Sequence, residues 1–191
     1  PWVRVFTPWN EANHVFQPTA KRPRLAWRYY RIVREECPRC TVLAADVADL
    51  PNLERWLRGF LRFQRGPAVW GLHNYQDANQ RKPLLRSSTL RMTKLVRGPI
   101  WSSEAGGIVG YKSVGGGRGF RFDLDRQLRA QRHLFRLLGD RRVRHRYPRV
   151  YLHNFFGTWT ASAAPDRWDS GLLGADGRPR PSYWDLRRRI G

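Results

Sequence analysis

Across its 191 residues the hydrophobic pattern switches between two periods without a break. Runs such as Val42-Leu43-Ala44-Ala45 are apolar at consecutive positions, the mark of a strand covered on both faces. Between such runs the apolar residues recur at helical spacing, as in Leu57, Phe60 and Leu61, or Leu128, Leu134, Leu137 and Leu138. Strand, helix, strand in steady alternation means parallel βαβ units. The pattern predicts strands at 3–7, 41–45, 69–73, 100–103 and 150–155. It predicts helices at 19–36, 53–64, 84–96, 124–138 and 182–190. No linker or low-complexity stretch divides these five units. With 41% hydrophobic residues they make one α/β domain with a single sizeable core.

Targeting signals are few. No apolar run approaches the roughly 20 residues needed to span a bilayer. The chain opens at Pro1 directly into a strand pattern, without a charged-then-apolar leader, so the true N-terminus is expected upstream. The formal net charge of +21 would ordinarily suggest nucleic acid. Only four of the 36 basic residues are lysine (Lys21, Lys82, Lys94, Lys112), which leaves 32 arginines, a skew that a GC-rich genome explains. The arginines also repeat at solvated-face spacing along helices, as at Arg126, Arg129, Arg132 and Arg136. No specific nucleic-acid partner is therefore expected.

Cys37 and Cys40 form the only cysteine pair, half of a zinc site with no second pair to complete it. They fall at a helix end, not at the helix start that activates a redox thiolate. A local disulfide in an exported protein, or two inert thiols, are the readings left. Two loops are long: 106–123, with Gly115-Gly116-Gly117 and aromatics, and 157–181, with Trp159, Trp168 and the turn pair Asp176-Gly177. Both follow strands, on the side where α/β proteins place their sites.

Two glutamates stand at strand ends, in Trp9-Asn10-Glu11-Ala12-Asn13 and in Trp101-Ser102-Ser103-Glu104-Ala105. A pair of rim carboxylates from different strands is what cleavage of a glycosidic bond needs, one a proton donor and the other a nucleophile or base.

These residues resemble a known family. Trp9-Asn10-Glu11, His73-Asn74-Tyr75 and Trp101-Ser102-Ser103-Glu104 are similar to strands four, six and seven of the retaining (β/α)8-barrel glycoside hydrolases. The cellulase-like and xylosidase-like families come nearest. Phe156-Gly157-Thr158-Trp159 resembles strand eight, and Arg180-Pro181-Ser182-Tyr183 resembles the closing segment. The resemblance implies a partial TIM barrel, about strands four to eight with their helices, lacking the N-terminal strands. It implies Glu11 as general acid/base, Glu104 as nucleophile, Asn10 on the sugar 2-hydroxyl, Tyr75 bonded to the nucleophile, and His73 beside it. Trp159 would be the stacking floor. Sugars present apolar C–H faces to such rings. The implied partner is a carbohydrate, and no metal or organic cofactor is required. Alternatives are a carbohydrate-binding remnant that has lost turnover and, on charge alone, a basic nucleic-acid-binding protein.

Overall fold

The computed structural model describes residues 2–113 and 119–191. The glycine run at 115–117 lies outside them. Five parallel strands form one curled sheet in the order β1-β2-β3-β4-β6, half of a barrel wall. They are β1 (Val5–Phe6), β2 (Thr41–Ala48), β3 (Val69–His73), β4 (Ile100–Ala105) and β6 (Arg149–Leu152). The short strands β5 (Gly110–Tyr111) and β7 (Trp168–Asp169) pair antiparallel at the strands' C-terminal end. The helices are α1 (Pro23–Glu36), α2 (Leu53–Leu61), α3 (Tyr75–Asn79), α4 (Ser88–Leu95), α5 (Leu124–Gly139) and α6 (Pro181–Ile190).

Helices and sheet close on a core of Leu57, Phe60, Trp70, Met92, Ile100 and Leu134, each fully buried. Such a side chain contributes about 1.5–3 kcal/mol on burial. The central strands β2 and β3 are buried along nearly their whole length, whereas β1 and β6 alternate or expose their residues. Those two are the edges. Among the described residues no further strand pairs with either.

Several boundaries differ from the sequence-based expectation, each for a local reason. Strand β1 is short because Pro8, just past it, has no N–H for a ladder. Helix α1 begins at Pro23 instead of residue 19, proline being favoured in a first turn where its missing N–H costs nothing. Thr19 is instead spent on a buried bond from its hydroxyl to Ala12 O. The helix expected over 84–96 starts later, at Ser88, capped by Ser87, whose Oγ accepts from Leu90 N. Strand β6 ends at Leu152. Tyr75, expected at the end of a strand, opens α3 instead, because Asp49 from the end of β2 accepts the N–H groups of Gln76 and Asp77. Cys37 and Cys40 are joined as a disulfide between α1 and β2.

Candidate active site

Parallel pairing brings the ends of β2, β3 and β4 level: Ala48 pairs with His73, and His73 with Glu104. At this end lies a cleft of about 830 Å³ whose lining includes Asn10, Glu11, His73, Tyr75, Glu104 and Trp168.

Glu11 sits in the turn beyond β1 with φ 45°, in the left-handed region. Its neighbours hold it there. Ala12 N donates to Asp46 O, and Asn13 exchanges bonds with both the N–H and the C=O of Ala48. Asn52 donates to Asn13 O. The two residues after Glu11 are thus fastened to the end of β2, and the glutamate is aimed over the sheet.

His73 joins the carboxylates. Its Nδ1 is 3.2 Å from Glu11 Oε1 and 3.7 Å from Glu104 Oε2. Those two legs cap the separation of the two glutamate oxygens at 6.9 Å. Tyr75 OH donates to the other oxygen of Glu104, Oε1, at 3.0 Å and lies 3.2 Å from His153 Nδ1. Burial alone would push the His73 imidazole down. Hydrogen bonds to Asp46 and Glu11, with the charges of Asp46 and Glu104, reverse that and raise its pKa to about 10. Burial and the Glu104 charge push the Tyr75 phenol well above its ordinary value, so it stays a donor. Asp49, buried and beside the charge of Asp77, is raised to about 7 despite two backbone donors.

Trp159 is placed away from the cleft. It is 5% exposed, does not line the cleft, and its ring lies flat on Gly110, where a Cβ would come within 2.2 Å of it. Loop 157–180 is organised around the buried Arg180–Asp169 pair at 2.8 Å, with Asp169 also accepting from Trp159 N. That arrangement buries Trp159 and turns Trp168 into the cleft, edge-on to Tyr75 with centroids 4.7 Å apart. Asn10 lines the cleft and is exposed.

Three groups in or beneath the cleft escaped the sequence reading. His153 follows β6 and stands 3.7 Å from Glu104, a lone histidine with no pattern around it. Asp49 falls between the strand predicted at 41–45 and the helix predicted at 53–64, with no motif around it. Asp46 carried a legible signal, a carboxylate directly after a four-residue apolar run. Such a group is buried only with partners.

No family model matches the chain, and no curated protein sequence does. Solved structures match its fold throughout. A β-glucuronidase from Faecalibacterium prausnitzii matches with a TM-score of 0.66 at 17% identity, over 99% of this chain and 31% of the other. Xylanase 10B from Thermotoga petrophila, solved with xylobiose, matches with a TM-score of 0.65 at 14% identity, over 97% and 59%. A β-galacturonidase from Eisenbergiella tayi matches with a TM-score of 0.59 at 16% identity, over 100% and 34%. All three are glycoside hydrolases, and at these identities the likeness is one of fold. The chain spans less than two thirds of each.

Proposed function

We propose that this chain is the C-terminal part of a glycoside hydrolase barrel that cleaves O-glycosidic bonds of a carbohydrate with retention of configuration. The observation that carries the reading is the meeting of Glu11 and Glu104 at one imidazole nitrogen, with oxygens no more than 6.9 Å apart. Retention requires carboxyl groups about 5–5.5 Å apart, a spacing within that cap. Glu104 attacks the anomeric carbon, and Tyr75, donating to its Oε1, holds the nucleophile in line. Glu11 protonates the leaving oxygen, then takes a proton from the water that frees the sugar. Asn10 faces the 2-hydroxyl, where a bond that tightens in the transition state lowers the barrier. Trp168, not Trp159, supplies the aromatic wall. The fold shared with a glucuronidase, a xylanase and a galacturonidase supports a saccharide substrate.

The test pairs two variants on aryl glycosides with added azide. Glu104→Ala should lose turnover and regain it with azide as the inverted glycosyl azide, the anion entering from the vacated face. Glu11→Ala should form the glycosyl-enzyme from substrates with good leaving groups, hydrolyse it slowly, and give the retained azide. Wild-type rates in both variants would refute the assignment. No structural role for either residue predicts opposite stereochemistry from one ion.

A further inference from the structure

Asp46 belongs to no part of the mechanism above, yet the sheet is built around it. It lies inside β2, 3% exposed, and its Oδ1 is 3.2 Å from His73 Nε2. The same oxygen accepts from Ser103 Oγ of β4 at 2.5 Å. To reach that serine the side chain crosses β3 at Gly71. A Cβ on Gly71 would stand 2.1 Å from Asp46 Oδ1 and 2.7 Å from Ser103 Oγ. Three adjacent strands thus contribute a carboxylate, a gap and a hydroxyl at one level directly beneath the histidine. A carboxylate tolerates such burial only with hydrogen-bonding partners, and these are the partners.

The acceptors around His73 decide where its hydrogens lie. Asp46 of β2 faces Nε2; Glu11 of the turn after β1 and Glu104 of β4 face Nδ1. Tyr75 and His153 approach Glu104 Oε1, while Oε2 is the oxygen nearer His73. Ionised carboxylates only accept. One hydrogen therefore occupies Nε2, directed at Asp46, and a second lies in the contact between Nδ1 and Glu11. We propose that Asp46 is a positioning residue that makes His73 the resting place of the catalytic proton, held on Nδ1 between the two glutamates. In the step that arms the acid, the Nδ1–H bond breaks and its electron pair stays on nitrogen. The proton joins Glu11 Oε1, and His73 is left neutral with its Nε2 hydrogen still on Asp46. The proton's raised affinity for His73 agrees with this placement. The inference rests on the glycosidase reading for what the proton is used for, and on geometry for where it is.

Side-chain nitrogen NMR of the 15N-labelled chain tests it. In the wild type, His73 should carry hydrogens on both nitrogens across about pH 5 to 9, the range in which an ordinary histidine titrates. Asp46→Asn keeps an acceptor of the same shape but removes the charge, and should lower the His73 midpoint by at least about one unit. A singly protonated His73 at neutral pH in the wild type would overturn the proposal whether or not the variant folds. So would a midpoint that moves by less than that unit in a folded variant. The spectrum needs no turnover. A doubly protonated His73 in a chain inert toward every glycoside would refute the glycosidase reading and leave the proton placement standing.

Discussion

Glu11 shows how one residue is made to keep an unfavourable backbone. Its left-handed φ of 45° costs an L-residue about 1–2 kcal/mol. The bonds that fasten Ala12 and Asn13 to β2 each contribute about 0.5–1.5 kcal/mol net, enough to offset it. The neighbouring titratable groups couple the site to stability. His73 is raised from 6.5 to about 10, so the folded chain keeps a proton that the unfolded chain releases between those values. Its contribution is complete below 6.5 and is lost as the pH rises through 10. Asp49, raised from 3.8 to about 7, has the same sign, with stability falling as the pH rises through that window. Asp169 and Asp185 act oppositely. Burial pushes both up, but their arginine partners prevail and hold both below the usual value of 3.8, so their contribution disappears in acid. The melting temperature should therefore peak between about pH 4 and 6 and decline steadily toward pH 10. Circular-dichroism melts across that range check it; a melting temperature that climbs from pH 5 to pH 9 would contradict both assignments.

At the scale of elements, single side chains often finish what periodicity begins. Arg146 donates to Thr93 O, Val96 O and Gly98 O, satisfying carbonyls where α4 ends and the chain turns toward β4. Lysine carries the charge but not the fork. Arg146→Lys should cost about 2 kcal/mol, the scale of one charge-assisted bond, and lower the melting temperature by about 4–8 °C. An unchanged melting temperature would mean that water serves those carbonyls as well. The same contrast explains what could be read from the sequence. The sheet's five strands are legible: β2, β3 and β4 as buried apolar runs, and the edges β1 and β6 as short apolar-containing stretches in the strand–helix alternation. Glu11 lies just beyond β1, His73 ends β3 with Tyr75 two residues on, and Glu104 stands near the end of β4, and parallel pairing carries such positions to one end. Helix α3 was not legible: it has five residues, and its cap, Asp49, comes from another strand end. Strands β5 and β7 are two residues each and meet only in space. Trp159 and Trp168 occupy one loop with equal local claims on the cleft. The Arg180–Asp169 pair, eleven positions apart and buried together, decides between them.

For the whole molecule, the decisive property is a sheet with two edges unpaired among the described residues and a large net charge. Strands β1 and β6 present backbone donors and acceptors with no described partner, beside exposed Trp2, Val3 and Val5 at one edge and Tyr151, Phe155 and Phe156 at the other. Edges of this kind template association with further strands, their own copies included. The proposed reading, in which three more β/α units close the wall, gives these side chains their cover. Expressed as it stands, the chain has only electrostatics to keep copies apart, and a charge of +21 repels strongly at low ionic strength. Salt removes that protection. The Debye length falls from about 30 Å at 0.01 M to about 8 Å at 0.15 M, so charges on two copies repel only once the copies are nearly in contact. Light scattering should therefore report a monomer in about 10 mM salt and growing particles above about 0.15 M, with binding of a hydrophobic dye at both. Supplying the three preceding units in the same polypeptide should abolish both the salt-driven growth and the dye binding. If the chain alone stays monodisperse, binds no dye and melts cooperatively at high salt, its edges are closed in some way that five strands do not provide, and the reading of an incomplete barrel falls.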